Sequence, residues 1–395
     1  MKTTILFVPG FVADTYSEIE RSYVELCASA RRDVEYLWLV PTISYKHNRF
    51  ARAASRTELK EPVWVPHLRR HGIPYVVADV SKYNPIANLF LFAGIFRRHR
   101  ISAVYTHFGY ERFWAVFFGK LCRRVTIWNE HWHSLGRRYG LLKRLFYRLF
   151  VDEFISVSRF ISATLPPGRR VHTLPNAIHV DVAPPDSAST AERRRRLGLP
   201  QNGAVVLMVA AFRTEKRHGL ALDVCRRVLQ THGDTVFVFL GAGELRDQFR
   251  EQVDRLGLGQ RVVTPGHVDN VNDYYAVADV SILTSYYEPF GYVVLEAMRA
   301  ALPVVAFDNG GPAEVIRHGE TGILVKEADV DQFAVELARL IDDADLRRAL
   351  GARARRAVQQ EYNRDTWIGK LNLILTDIVL RRDRGSPNAR LMKTH

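Results

Sequence analysis

Two carboxylates eight positions apart, Glu288 and Glu296, bracket a Pro289-Phe290-Gly291 break within the stretch Tyr286 to Met298. Upstream, Asp279-Val-Ser-Ile-Leu-Thr284 reads as a buried strand ending in a turn. Downstream, Gly291 to Ala300 carries Val293, Val294, Ala297 and Met298 at the spacing of one buried helix face. Glu288 therefore belongs to a strand-to-helix loop, and Glu296 lies one to two turns into the helix. The first helical amides, at Gly291 to Val293, point back toward the loop. Free amides and the positive end of the dipole make such a terminus an anion site suited to phosphate. Carboxylates flanking it suit hydroxyl groups. A phosphate held between two hydroxyl-bearing groups describes a nucleotide sugar.

A second charged cluster, Arg213-Thr-Glu-Lys216-Arg217-His218, follows the apolar run ending at Val209 and opens another helix. A cation at a helix N-terminus opposes the dipole, so Lys216 calls for an anion close by. In the first half, Asn129-Glu130-His131-Trp132-His133 ends a strand, a favourable place for a histidine that works on a ligand. Of the two histidines His131 is preferred over His133. Pro9-Gly10-Phe11 forms the turn after the first strand, where Gly10 lets backbone approach a phosphate or acceptor. Gly241-Ala-Gly243-Glu244 resembles a dinucleotide fingerprint but lacks its third glycine. Asp329-Val-Asp331 spells a metal-binding pair, yet it precedes the amphipathic run Gln332 to Leu337 and reads as a helix cap.

The Tyr286–Met298 segment resembles the nucleotide-sugar signature of the retaining GT-B glycosyltransferases of family 4 (glycosyl transferases group 1). The match continues through Leu302-Pro303-Val304-Val305-Ala306, Asn309-Gly310-Gly311-Pro312-Ala313-Glu314 and Gly319-x-Thr321-Gly322-Ile323-Leu324-Val325. The resemblance implies that Glu288 lies under the donor sugar near the anomeric centre and that Glu296 grips the ribose hydroxyls. It implies that the backbone of Phe290, Gly291 and Tyr292, with Val293, meets the sugar and distal phosphate, and that Gly266-His267-Val268 contacts the base. Lys216 matches a residue that neutralises the diphosphate leaving group. The partner arginine of that motif is replaced by Ala211, which passes its task to Arg213. His131 matches a histidine that faces the donor sugar. The flanking Trp128 and Trp132 depart from the pattern, as does the stiffer Pro9-Gly10 turn, and both bear on the acceptor.

These residues need a scaffold. Short apolar strands alternate with helical patterns, which argues for α/β architecture with parallel sheets. Strands are expected at Thr4–Val8, Val34–Val40, Tyr75–Val80, Ala103–Thr106, Val125–Trp128, Phe154–Val157 and Val171–Leu174. A second set is expected at Val205–Ala210, Val236–Leu240, Val262–Thr264, Val280–Leu283, Val304–Phe307 and Ile323–Val325. Between the sets, Val182 to Thr190 is rich in Pro, Ser and Ala and reads as a linker. The expected fold is GT-B, with two doubly wound, Rossmann-like parallel-sheet domains whose strand ends face a cleft. Residues 1–180 form an acceptor-binding domain, 181–362 a nucleotide-sugar-binding domain, 363–380 a helix crossing back to the first domain, and 381–395 a basic disordered tail.

With 395 residues, 47% hydrophobic and 25% charged, the chain has ample core for two soluble domains. Its three cysteines, Cys27, Cys122 and Cys225, lie far apart in helical patterns and read as reduced, buried thiols. The first apolar run is too short for a signal peptide and Pro9-Gly10 breaks it; Ile86 to Phe96 is too short to span a bilayer. A net charge of +14 requires acidic partners. No basic motif interleaved with aromatics, zinc spacing or recognition helix accompanies it, so nucleic acid is not expected. Arg137 to Phe150 is basic and strongly apolar: an ordinary core-facing helix, or, as in relatives with lipid-linked acceptors, an attachment to anionic membrane.

The reading is a cytoplasmic, metal-independent hexosyltransferase. It uses a nucleoside-diphosphate sugar as substrate, no cofactor, and a glycan or lipid-linked acceptor. The alternatives are a nucleotide-sugar 2-epimerase on the same fold, or a non-catalytic binder of nucleotide sugars or polyanions.

Overall fold

The computed structural model describes residues 3–10, 18–41, 43–45, 56–58, 62–81, 84–132, 137–181 and 188–385. The chain divides into two compact units, one drawn from Met1–Pro175 with Arg364–His395, the other from Asn176–Asn363.

In the first unit the strands are β1 (Thr3–Val8), β2 (Val34–Val40), β3 (Ile43–Tyr45), β4 (Arg56–Glu58), β5 (Tyr75–Val77), β6 (Ile101–Thr106), β7 (Val125–Glu130), β8 (Glu153–Ser156) and β9 (Arg170–Thr173). Seven of them form one parallel sheet in the order β5-β2-β1-β6-β7-β8-β9. Strands such as Ile5-Leu6-Phe7-Val8 are apolar on both faces because helices cover both. The chain winds outward from β1 in one direction and from β6 in the other, so the strand order reverses between them. β3 and β4 pair antiparallel as a small separate ribbon. Three residues per strand are too few for an alternating pattern to register, and the sequence reading missed it. β7 runs to Glu130, past the expected end at Trp128, and draws Asn129 and Glu130 into the sheet.

An aromatic core fills this unit. The Phe7 ring lies 5.1 Å from Tyr23, 4.9 Å from Trp38 and 5.3 Å from Tyr105. The last helix, Arg364–Gly385, belongs to this unit and packs on the helix Glu18–Ala28. Its buried Asn372 accepts from Tyr36 Oη (3.0 Å) and donates to the Leu26 carbonyl (3.3 Å) and Ser29 Oγ (3.2 Å). The helix continues to Gly385, into the stretch expected as tail; residues 386–395 lie outside the described residues, as do 182–187 of the expected linker.

The second unit holds β10 (Val205–Val209), β11 (Val236–Leu240), β12 (Val262–Gly266), β13 (Val280–Leu283), β14 (Val304–Phe307) and β15 (Gly322–Val325). They form a parallel sheet in the order β12-β11-β10-β13-β14-β15, reversing between β10 and β13. Cys27 and Cys225 are buried, but Cys122 is exposed, because it follows the last turn of the helix Glu111–Leu121 and faces away from the sheet's core. All three thiols are free.

Asn372 supplies a test of how the terminal helix is held. Asn372→Ala leaves the Tyr36 hydroxyl and the Leu26 carbonyl without this partner in a buried setting. The expected cost is about 1–3 kcal/mol, read by calorimetry as a lower melting temperature for the first unit's transition with the second unit's unmoved.

Candidate functional site

In the second unit the strand order reverses where two loops leave the carboxyl ends of β10 and β13, the position where open parallel sheets bind ligands. The loop after β10 makes a single tight turn, Thr214–Lys216. Thr284, just past β13, donates its hydroxyl to the carbonyls of Lys216 (2.9 Å) and Arg217 (3.2 Å). The Tyr286 amide donates to the Glu215 carbonyl at 3.0 Å. These bonds draw the loops together, and the Lys216 ammonium meets the Glu288 carboxylate. Both side chains are largely sheltered, 18% and 14% exposed, so little water competes with whatever replaces either partner.

Glu288 is also fixed from β14. Its carbonyl accepts from the Gly311 amide at 2.8 Å. The preceding Gly310 has φ 57°, and a β-carbon there would lie 2.6 Å from the Glu288 carbonyl oxygen. No side chain fits, which explains the glycine physically. Buried Phe290 follows, and the helix Tyr292–Arg299 opens with Gly291 at its cap, which has no side chain to cap it. Tyr292 and Val293 are half-buried in its first turn. Glu296, one turn on, accepts from the buried Tyr275 hydroxyl at 3.0 Å. Val268 lies half-buried beyond β12, whose last residue Gly266 accepts from the Gly241 amide at 2.9 Å.

Lys216, Glu288, the Phe290–Val293 segment and Glu296 thus occupy the loop and helix that follow one strand, together with the turn after its neighbour. Arg213 is exposed at the start of the turn and takes no part in the Lys216–Glu288 contact. Asp329 accepts from the Gln332 amide at 3.0 Å, as an N-cap does. Sequence reasoning missed Tyr275 and Thr284: a tyrosine in a helix and a threonine ending a strand are common, and only the fold aims them at Glu296 and Lys216.

His218 opens the helix after Lys216 and is buried, its ring stacked on Phe212 with centroids 4.1 Å apart. Neither ring nitrogen has a hydrogen-bond partner. Burial, with Lys216 next to it, pushes its pKa down to about 4.

In the first unit the reversal lies between β1 and β6, and Gly10 stands there. Its φ is 62°, and a β-carbon would fall 1.7 Å from the Phe108 carbonyl oxygen, so the loops after β1 and β6 touch only because this residue is glycine. His131 follows β7. Its ring lies 4.5 Å from Phe108 and 4.0 Å from His107, a fully buried histidine that the sequence reading passed over because it ends an otherwise ordinary strand. Burial pushes His131 down to about 3, with Glu130 opposing and Arg112 reinforcing. The imidazole is therefore neutral near pH 7. Burial alone would raise the neighbouring Glu130, but Arg112, Lys143 and Tyr147 outweigh it and hold the carboxyl below the usual range. Glu130 contacts Lys143 at 2.9 Å and the Tyr147 hydroxyl, and accepts from the Trp132 amide at 3.3 Å. Phe11 and His133 lie outside the described residues.

The architecture and site define an α/β protein with a charged loop-and-helix site at the reversal point of its second sheet. Residues 189–357 match the model for glycosyl transferases group 1. An uncharacterized glycosyltransferase of Methanocaldococcus jannaschii is 32% identical over 294 residues, 69% of this chain and 74% of that protein. The chain belongs to the glycosyl transferases group 1 family. It is also 30% identical to N-acetyl-alpha-D-glucosaminyl L-malate synthase of Bacillus anthracis over 191 residues, 48% of this chain and 50% of that protein. The match to GDP-mannose-dependent alpha-(1-6)-phosphatidylinositol monomannoside mannosyltransferase of Mycobacterium tuberculosis is 30% over 254 residues, 61% and 65% of the two chains. Among solved structures, Anabaena HepE in complex with UDP superposes with a TM-score of 0.74 at 19% identity, covering 95% of this chain and 100% of that one. The fold is GT-B.

The buried His218 predicts a pH effect whose sign is fixed. Its pKa falls from the ordinary 6.5 to about 4 on folding, so the folded state resists protonation. Stability is fully present above pH 6.5 and is lost as pH falls toward 4. In His218→Leu the destabilisation of the second unit between pH 7 and 4.5 should be smaller by about 2–3 kcal/mol than in the wild type, measured as the pH dependence of its melting transition.

Proposed function

We propose that the chain is a retaining hexosyltransferase that uses a nucleoside-diphosphate sugar and acts on a hydroxyl of a glycan or lipid-linked acceptor. The observation that carries this reading is the sheltered contact between Lys216 and Glu288 at the reversal of the second sheet. A cation and a hydroxyl-binding carboxylate are held together beside a helix start that has glycine at its cap. When the donor enters, its diphosphate replaces Glu288 as the partner of Lys216, and the carboxylate is released to the sugar hydroxyls. The anomeric C–O bond to phosphate then breaks. The acceptor oxygen bonds to the same face of the anomeric carbon, and its proton passes to the departing phosphate oxygen. Lys216, Arg213 and the Phe290–Val293 amides stabilise the charge that grows on the diphosphate. Glu296, oriented by Tyr275, holds the ribose, and Val268 borders the base. The resemblance assigns His131 to the donor sugar, and Gly10 lets backbone approach a phosphate or acceptor. In this reading the protein cations replace a metal, so turnover persists in a chelator.

The names of the relatives support the donor class: one is a GDP-mannose-dependent mannosyltransferase and several matched structures hold UDP. The test is turnover of UDP-glucose, UDP-N-acetylglucosamine and GDP-mannose, with EDTA present, with and without a crude lipid and glycan extract. Acceptor-dependent transfer is expected. Conversion of the sugar to its 2-epimer, or binding without turnover, would replace this reading with an epimerase or a binder.

Two substitutions separate binding from chemistry. Glu296→Gln should weaken the donor and the free nucleoside diphosphate alike by about 1.5–3 kcal/mol, the worth of charge-assisted bonds to the ribose; calorimetry showing unchanged nucleotide affinity removes Glu296 from the site. Lys216→Ala should lower kcat more than it raises KM, because its partner's charge grows in the transition state.

We further propose that the first unit meets anionic membrane, and with it a lipid-linked acceptor. On the helix Arg137–Phe150, Tyr147 and Phe146 turn inward, while Leu141 (74% exposed), Leu142, Leu145 and Leu149 face outward. Arg144 and Arg148 share that face and line, with Thr164, Leu165 and Pro166, a groove of 480 Å³. Ile86 and Phe90 are exposed on the helix Pro85–His99. Among the described residues no helix is long and apolar enough to cross a membrane. Cosedimentation with phosphatidylserine vesicles at low salt should occur. It should be lost when Leu141, Arg144, Leu145 and Arg148 are changed to Gln, with donor hydrolysis retained, each basic residue being worth about 1 kcal/mol at such a surface.

A further inference from the structure

Arg217 occupies a position that suits arginine badly on three counts. Its φ is 50°, in the left-handed region that L side chains avoid. Among the described residues, the other non-glycine positions with positive φ are Ala328, just before the cap of the helix Val330–Asp342, and Arg100, Arg123 and Ala301, which follow helices, where that conformation is ordinary. Arg217 joins two helical segments: it ends the Thr214–Lys216 turn and stands at the N-cap of the helix His218–Leu229. Its side chain makes no capping bond there, and its charge opposes the helix dipole. Glycine would relieve the backbone, and serine or asparagine would cap the helix. Neither backbone preference nor capping accounts for an arginine.

Its guanidinium does. Nη1 pairs with Glu327, which follows β15, and the guanidinium carbon lies 4.8 Å from the centre of the Tyr286 ring, in the loop after β13. The second oxygen of Glu327 accepts from Asn309, which follows β14, and Asn309 donates also to the Ser285 carbonyl at 3.2 Å. One side chain therefore ties the loop after β10 to those after β13, β14 and β15. The carbonyls of Lys216 and Arg217 are held from the other side by the Thr284 hydroxyl. Lys216 lies between the two restraints.

We propose that Arg217 is a positioning residue for Lys216: the Arg217–Glu327–Asn309 clasp holds the strained turn in the form that presents the lysine to the donor's diphosphate. The inference rests on the donor reading above. The clasp touches neither the ribose partner Glu296 nor the base side at Val268, so its loss reaches the bond-breaking step and spares nucleotide binding.

The experiment uses the full chain with Arg217→Gly, which accepts the backbone conformation and lacks the guanidinium, together with Glu327→Gln, the double variant, Arg217→Lys and Lys216→Ala. With UDP-glucose or GDP-mannose as the donor that turns over, Arg217→Gly should melt at or above the wild-type temperature. Its kcat should fall by about tenfold to a hundredfold, the scale of a misplaced reacting group, with donor KM within about twofold. Glu327→Gln should match it, the double variant should be no worse than either, and Arg217→Lys should recover part of kcat. Without any ligand, hydrogen exchange at the amides of Lys216 and Arg217 should quicken in Arg217→Gly and Glu327→Gln. Wild-type kcat in Arg217→Gly beside a dead Lys216→Ala overturns the positioning role and leaves the donor reading standing. Wild-type kcat in both overturns the two together. Unchanged amide exchange in both clasp variants also overturns the proposal, because the turn then holds its shape unaided.

Discussion

Everything proposed for the second unit depends on one contact that the chain makes difficult: a lysine at a helix start meeting a carboxylate from the next strand's loop. Lys216 and Glu288 are 72 residues apart. They meet because β10 and β13 are sheet neighbours although two strands and their helices intervene in sequence. The reversal of winding direction parts the helices above that pair of strands, leaving the loop ends uncovered. The Thr284 hydroxyl, Gly310 and the Arg217 clasp convert an accident of topology into a fixed distance. The helix dipole opposes the cation, and Glu288 offsets that opposition while no anion is bound.

The first unit solves a different problem. Its strand order also reverses, but the groups gathered there are aromatic and imidazole rings instead of an ion pair. Phe108 touches Gly10 through its backbone and His131 through its ring. Neutral near pH 7, the half-buried His131 and the buried His107 can form directional hydrogen bonds without bringing a charge. Beside them, Glu130 keeps its charge because Lys143 and Arg112 surround it. Lys143 and the exposed leucines occupy opposite faces of the same helix, so the helix that offers an apolar outer surface is anchored inwardly by a carboxylate.

Much of this was legible in the sequence, for identifiable reasons. Central parallel strands covered on both faces are continuous apolar runs and stood out, and edge strands such as β9 were read from the alternation with helices around them. The glycines at 10 and 310 and Glu288 lie in loops whose residue types have few other uses, and Glu296 stands one turn into the helix that follows. Interactions between distant segments were not legible. Nothing in the local pattern distinguishes Thr284 from any threonine ending a strand, or shows that His107 would stack on His131. The sequence singled out Arg213 as a second cation beside Lys216; in the structure it is exposed, and Arg217, which the sequence reading did not single out, joins the network. Spacing from the strand end favoured the former; a left-handed backbone angle, invisible in sequence, turned the latter. Helix amphipathicity was recognised between Arg137 and Phe150, but whether its leucines or its aromatics faced inward required knowing where Glu130 lay.

The terminal helix has a consequence for how the molecule comes into being. Asn176 to Asn363 form a unit closed on itself, with Ile178 bridged to Asn363 where the chain enters and leaves. The other unit is assembled from segments that flank it on both sides. During synthesis the second unit has all its strands while the first still lacks the helix that carries Asn372. The segment before the inserted unit must therefore wait, with the face of the helix Glu18–Ala28 uncovered, until the segment after it has emerged. Residues made after the inserted unit thus complete a fold begun before it, and the inserted unit sets the length of that delay.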